Sequence, residues 1–174
     1  MSHDPDAPEQ AASVCLDAAT ADDTRRLGKR LAVVLRAGDL VVLSGDLGAG
    51  KTTFTQGLGE GLGVRGPVTS PTFVISRVHP SLGAGPPLVH VDAYRIGGVA
   101  ELDDLDLDAS LDEAVTVVEW GAGVAEGLAA DRLEVRISRA GGDRPTDESR
   151  TLRFTAVGSR WADVDLTVPV NRGE

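Results

Sequence analysis

The first regular pattern along the chain is a helical repeat of apolar residues in the segment 21–36. Leu27, Leu31, Val34 and Leu35 recur at spacings that place them on one face of a helix. Acidic residues stand in the first turn, where the positive end of the helix dipole favours them, and a glycine follows the segment. The pattern predicts an amphipathic helix over residues 21–36.

Elsewhere the apolar residues form short runs bounded by glycine, proline or polar residues, which is typical of strands. A second helix is expected to begin at about Lys51, after the run 39–44 and a glycine-rich loop. The pattern predicts an α/β protein with a mixed sheet of roughly six or seven strands. The runs cover residues 13–16, 39–44, 73–78, 88–92, 115–119, 133–138 and 151–155.

The length of the chain bounds its domain organisation. With 174 residues it has the size of one ordinary domain and is too short for two independent lobes. Residues 1–12 are polar and predict a flexible leader, and the folded domain is expected over residues 13–156. The pattern weakens after Ala156, so residues 157–174, which include Trp161, are expected to pack loosely or to be disordered.

Charge and cysteine content exclude several classes of function. The formal net charge is −10, and a surface of this sign repels the phosphate backbones that supply most nucleic-acid affinity. Cys15 is the only cysteine, which rules out an intrachain disulfide and a four-cysteine metal site. The N-terminal segment lacks a basic stretch followed by an apolar one, and no apolar run is long enough for a bilayer. These features predict a cytoplasmic protein without a membrane segment or strong direct RNA binding.

The glycine-rich segment 45–52 carries a chemical motif. It matches G-x-x-x-x-G-K-[ST] at every fixed position and lies between a predicted strand and a predicted helix. Its glycines let the backbone curl so that successive N–H groups point at phosphate oxygens, beside the positive end of a helix. The predicted nucleotide contacts are Gly45, Asp46, Leu47, Gly48, Ala49, Gly50, Lys51, Thr52 and Thr53.

Two residues of this loop have distinct predicted roles. Lys51 would reach the β and γ phosphates, and Thr52 would bind Mg²⁺. Lys51 and Lys29 are the only lysines among 17 basic residues, so a chain that otherwise uses arginine has a lysine at this position. The fold class that follows is a single-domain P-loop NTPase fold, with a mixed, largely parallel sheet flanked by helices.

A Mg²⁺–nucleotide site also needs a carboxylate at the end of a neighbouring strand, to hold a metal-bound water or to orient the attacking one. Asp92 and Glu119 each close an apolar run, and either could instead be a strand-end acid that faces solvent. His90 is interpreted as a packed or surface histidine and not as a base. Neither lysine belongs to the Asn/Thr-Lys-x-Asp motif of guanine readers, so ATP is the favoured nucleotide.

Three further segments follow the loop in order: VTSPTF at 68–73, HVDAYR at 90–95 and VEWG at 118–121. Together with the loop, this ordered set resembles the TsaE (YjeE) family, over about residues 24–137. The resemblance implies a small bacterial P-loop ATPase of the pathway that makes N6-threonylcarbamoyladenosine (t6A) in tRNA. It also implies work with the TsaD and TsaB proteins, which transfer the threonylcarbamoyl group, and contact with tRNA only through that complex.

The resemblance also implies roles for individual residues. Lys51 and Thr52 would bind nucleotide and Mg²⁺, and residues 70–72 would form a switch-like loop. Asp92 is a candidate for water activation or metal binding, and Glu119 with Trp120 would close the site, so Lys51, Asp92, Glu119 and Trp120 are the predicted catalytic residues. Thr52, Glu119 and Asp92 are the predicted metal ligands, with the division between the two acids left open. Residues 158–174 match no pattern of the family.

Two other functions are compatible with the loop. A small P-loop kinase that phosphorylates a metabolite would use the same loop together with downstream arginines such as Arg77 and Arg95, but the sequence shows no dense arginine cluster for a lid. A nucleotide-binding scaffold without turnover would bind ATP and change only its affinity for partners. Hydrolysis assays separate these functions from the ATPase.

Overall fold

The computed structural model describes residues 12–46, 48–66, 68, 76–92, 111–119, 131–139 and 148–166. Within these ranges, no helix is both long enough and apolar enough to cross a membrane. The helices are α1 (Ala21–Leu31) and α2 (Lys51–Leu62), and a short 3₁₀ turn spans Ser159–Trp161. The strands are β1 (Ala12–Ala18), β2 (Leu40–Ser44), β3 (Ser76–His79), β4 (Leu88–Asp92), β5 (Val115–Glu119), β6 (Arg132–Arg139) and β7 (Arg150–Val157).

The seven strands of the described residues form one mixed sheet in the order β1-β7-β6-β2-β5-β4-β3. The four strands β6, β2, β5 and β4 run parallel, whereas β7, β1 and β3 are antiparallel to their neighbours. The predicted α/β class and mixed sheet are confirmed. The four parallel strands form the centre of the sheet. β2, β4 and β5 are almost entirely buried, as expected for central parallel strands whose sequences read as continuous apolar runs.

The strand register places three carboxyl-terminal strand ends side by side. Leu43, next to the end of β2, pairs with Glu119 at the end of β5. Glu119 in turn pairs with Asp92 at the end of β4. The loop that follows β2 therefore emerges at the same edge of the sheet as the two acids that the sequence singled out.

Helix α1 begins with a capping box at Thr20. The Thr20 hydroxyl accepts a hydrogen bond from the Asp23 N–H at 3.1 Å, and the Asp23 carboxylate accepts one from the Thr20 N–H at 3.2 Å. The helix ends at Leu31, five residues before the predicted end at Arg36. Residues 33–35 continue in tighter turns with bonds to the third preceding carbonyl, so the apolar face extends beyond the α-helix without its regular ladder.

Glycines let α1 and α2 approach until their backbones touch. A Cβ atom on Gly57 would overlap the Arg25 carbonyl, and a Cβ on Gly61 would collide with the backbone of Lys29. Gly28 makes the same kind of contact from α1 onto α2. Since α2 begins with Lys51, this packing fixes the helix that presents the loop.

The 3₁₀ turn after β7 corrects one prediction. Residues after Ala156 were expected to pack loosely, yet the side chain of Trp161 is buried and Leu166 joins the core. The half-buried Arg160 forms an ion pair with the buried Asp39 at 2.9 Å and donates to the Val34 carbonyl. The prediction is wrong for residues 158–166, because a long-range ion pair anchors a segment with little local pattern; the remaining domain boundaries stay predictions.

Candidate nucleotide site

The glycine loop leaves the buried strand β2 and ends at the first turn of α2. Gly45 has a φ of 148°, and a Cβ atom there would overlap the Ile137 carbonyl on β6. Gly50 caps α2 with a φ of 108°, in the left-handed region that favours glycine. Both positions need glycine for different reasons, one for a close approach and one for backbone conformation. Leu47, a predicted contact, lies outside the described residues.

Lys51 folds back into the loop. Its Nζ atom donates to the Gly45 and Asp46 carbonyls, both at 2.9 Å, and the residue is only 6% exposed. Burial lowers the pKa of the Lys51 ammonium, while the nearby carboxylates of Glu119, Asp46 and Asp92 act to raise the pKa. The tertiary structure thus brings the lysine and both predicted acids into one electrostatic environment.

The first turn of α2 supplies the remaining predicted contacts. Thr52 and Thr53 are half-buried. Thr55, one turn further, donates its hydroxyl to the Lys51 carbonyl at 2.8 Å. The Gly50 carbonyl accepts from the Phe54 N–H at 2.9 Å, so the helix ladder starts directly behind the loop. This arrangement aims the N-terminal end of α2 at the space in front of the loop, where an anion is favoured.

Glu119 is buried and held by a histidine from the adjacent strand. His90 Nε2 lies 2.9 Å from Glu119 Oε1, and the two residues are 0% and 3% exposed. Asp92, on the same strand as His90, is half-buried. His90 is therefore packed, within its interpretation as a packed or surface histidine, and it contacts a predicted catalytic acid, a pairing that no sequence pattern indicates. Trp120 and residues 70–72 lie outside the described residues.

A second contact that sequence reasoning missed comes from β7. Arg150 Nε donates to the Ala49 carbonyl at 2.9 Å, and Arg150 Nη2 approaches the Gly48 carbonyl at 3.4 Å. No local signal could have indicated this contact, because about a hundred residues separate the partners. Within the described ranges, no three His, Cys, Asp or Glu residues are close enough to hold a metal ion by themselves.

Comparison with known proteins identifies relatives of this chain. A family model described as "Threonylcarbamoyl adenosine biosynthesis protein TsaE" matches residues 18–149. That match includes the loop and both acids and ends one residue before Arg150.

Individual proteins agree with the family match. The tRNA threonylcarbamoyladenosine biosynthesis protein TsaE of Streptomyces coelicolor is 68% identical over 145 residues, which cover 83% of this chain and 97% of that protein. The protein of the same name from Bacillus subtilis is 42% identical over 80% of this chain and 84% of its own length. The crystal structure of Bacillus subtilis YdiB superimposes with a TM-score of 0.72 at 34% identity, covering 94% of this chain and 97% of that one.

Proposed function

The chain belongs to the TsaE family, and we propose that it is a Mg²⁺-dependent ATPase that acts as an accessory protein in bacterial t6A biosynthesis. The names of its relatives support the pathway. We further propose that it couples its nucleotide state to turnover of a TsaB–TsaD complex, with slow hydrolysis alone and faster hydrolysis with partners. It meets tRNA only through that complex, in line with its net charge of −10, and it works in the cytoplasm.

The observation that carries the proposal is the position of Lys51. Its ammonium lies inside a glycine loop at a helix N-terminus, and the carboxylates at the ends of two neighbouring strands act on it electrostatically. A buried cation within a loop of this kind suits a polyanion with several phosphates, because the loop N–H groups and the ammonium can bind the same ligand. This supports ATP as the substrate.

The oxygen donors near the loop fit Mg²⁺. Thr52 is a half-buried residue in the first turn of α2, and Asp92 is a half-buried residue at the end of β4. Hydroxyl and carboxylate oxygens are ligands that this hard cation prefers, usually together with phosphate oxygens and water. When bound with ATP, the metal supplies charge neutralisation at the β and γ phosphates.

We propose different roles for the two acids. A carboxylate that orients an attacking water must keep a fixed direction, and Glu119 is buried with one oxygen bonded to His90. Asp92 is more exposed and stands one strand further from the loop, which suits a ligand of metal-bound water. Glu119 thus positions the nucleophile and Asp92 the metal, while the predicted role of Trp120 in closing the site stays a prediction.

The experiment compares ATP hydrolysis by the purified wild type and Lys51→Ala, each alone and with TsaB, TsaD and tRNA. Lys51→Ala is expected to weaken ATP binding roughly ten- to hundredfold and to abolish hydrolysis, because charge-assisted bonds to phosphate are lost. Lys29→Ala is the matched control, since Lys29 is the other lysine and lies exposed on α1. It should behave as the wild type.

Three outcomes would contradict the proposal. Lys51-dependent binding with no effect of TsaB, TsaD or tRNA on hydrolysis would remove the coupling role. Strong ADP release that requires one small metabolite as acceptor would favour the kinase. A reconstituted t6A synthesis reaction that proceeds equally well without the protein would exclude the accessory role.

A further inference from the structure

Arg150 links strand β7 to the phosphate loop. It is the first residue of β7, two strands away from β2. Its guanidinium donates through Nε to the Ala49 carbonyl at 2.9 Å and through Nη1 to the Ser149 carbonyl at 2.9 Å. A longer contact of 3.4 Å joins Nη2 to the Gly48 carbonyl. One side chain therefore contacts two successive peptide groups of the loop.

These contacts orient the N–H groups of the loop. In a trans peptide group the C=O and N–H bonds point in opposite directions. A carbonyl oxygen held on one side of the chain therefore directs the N–H of the same peptide group to the opposite side. The Ala49 carbonyl is bonded to Arg150, and the same peptide group contains the Gly50 N–H. Arg150 thus fixes the direction of a loop donor at the start of α2.

The planar guanidinium is suited to this task. Its donors form a rigid fork that can contact adjacent carbonyls, whereas a lysine ammonium is a point charge on a flexible stem. Ala49 itself is buried at 1% exposure, so its peptide is already confined by packing. The fork adds a directional constraint to a peptide that cannot move far.

A second arginine lies next to the first. Arg139 on β6 pairs in register with Arg150 on β7, and its Nη2 atom would be 3.4 Å from a Cβ placed on Gly48. Two guanidinium groups therefore lie next to the loop at residues 48–49 in a chain whose net charge is −10. Their positive potential favours an anion at the loop and partly offsets the acidic surface.

We propose that Arg150 is a positioning residue of the phosphate loop, which aligns the 48–50 backbone for phosphate binding without touching the nucleotide. The inference rests on the proposed nucleotide function of the loop. It concerns a residue beyond the segment matched by the family model, which ends at residue 149.

The test measures binding of Mg²⁺–ADP and of AMP to the full-length wild type, Arg150→Met and Arg150→Lys. Loss of a charge-assisted contact that orients a donor is expected to raise the Kd for ADP about tenfold. The change should be smaller for AMP, which offers the loop fewer phosphates. Arg150→Lys keeps the charge without the fork and should stay within about threefold of Arg150→Met. Arg153→Met is the control, because Arg153 lies exposed on the same strand.

A spectroscopic readout separates positioning from general stability. In the wild type the Gly50 amide resonance should move on ADP addition, and in the two Arg150 variants it should move less. Unchanged ADP affinity in folded Arg150→Lys, or an equal loss for ADP and AMP, would overturn the inference. If the Lys51→Ala variant binds ADP as well as the wild type, the proposed function fails instead, whatever the Arg150 variants show.

Discussion

His90 Nε2 lies 2.9 Å from Glu119 Oε1, and the two side chains are buried on neighbouring parallel strands. When the Glu119 carboxylate is ionised it can only accept hydrogen bonds, and the ring nitrogen is then the donor in this pair. The bond removes rotational freedom from an acid whose charge acts on Lys51. His90 is thus a positioning residue for the acid that we propose to orient water.

Removal of the His90 ring should affect hydrolysis more than binding. We expect His90→Ala to lower kcat for ATP hydrolysis about tenfold through loss of orientation, with the Kd for ADP nearly unchanged. His90→Gln retains an N–H donor and should recover part of the loss. Single-turnover hydrolysis and ADP titrations measure the two quantities. His79→Gln is the control, since His79 is another buried histidine on the neighbouring strand. A wild-type kcat in folded His90→Ala would refute the positioning role.

The lowered pKa of Lys51 predicts a pH dependence of stability. Between that lowered pKa and the ordinary value of 10.5, the unfolded state binds more protons at this lysine than the native state does. The free energy of unfolding should therefore rise with pH in this window, and Lys51→Met should lack that rise. Urea unfolding at about pH 8 and about pH 10 tests the difference. Lys29→Met should follow the wild type, and parallel curves for wild type and Lys51→Met would contradict the prediction.

The contact between α1 and α2 predicts that Gly57 tolerates no side chain. Gly57→Ala should lower the free energy of unfolding by about 1–3 kcal/mol, because the new methyl group meets the Arg25 backbone. This loss would exceed the gain of up to about 1 kcal/mol that alanine brings to a helix. Gly83→Ala, at a glycine with open space around it, should change stability by less than about 0.5 kcal/mol. Equal free energies of unfolding for Gly57→Ala and Gly83→Ala would show that α1 and α2 can move apart to accommodate the added methyl group.

The ion pair between the half-buried Arg160 and the buried Asp39 predicts that the turn after β7 contributes to stability. Arg160→Met should cost about 3–5 kcal/mol, because it leaves the Asp39 carboxylate buried without its cation. Asp39→Asn keeps an oxygen acceptor for the Arg36 N–H, which Asp39 now binds at 2.8 Å. In a double-mutant cycle, the losses of unfolding free energy caused by Arg160→Met and by Asp39→Asn should not add. Additive losses, measured by urea unfolding, would mean that the two residues act independently.

Most of the fold could be predicted because its central strands are continuous apolar runs. β4 and β5 begin and end where the pattern placed them, at Leu88–Asp92 and Val115–Glu119. The end of α1 was predicted too late, since apolar spacing does not distinguish an α-helical turn from the tighter turns that follow Leu31. β3 was predicted over residues 73–78 and is described as Ser76–His79, with residues 73–75 outside the described ranges.

The candidate site divides in the same way. The loop around Lys51 is contiguous, and its chemistry depends on glycines and a lysine at set spacings, so the sequence by itself determined the position of the loop at which we propose that phosphate binds. The apolar runs likewise determined which acids stand at strand ends. Strand order, in contrast, is set by packing between distant segments, and only the tertiary structure decided that Glu119 pairs with His90 and that Arg150 reaches the Ala49 carbonyl. These hydrogen bonds join residues 29 and 101 positions apart, and no local pattern of hydrophobicity records which side chains the sheet will bring together.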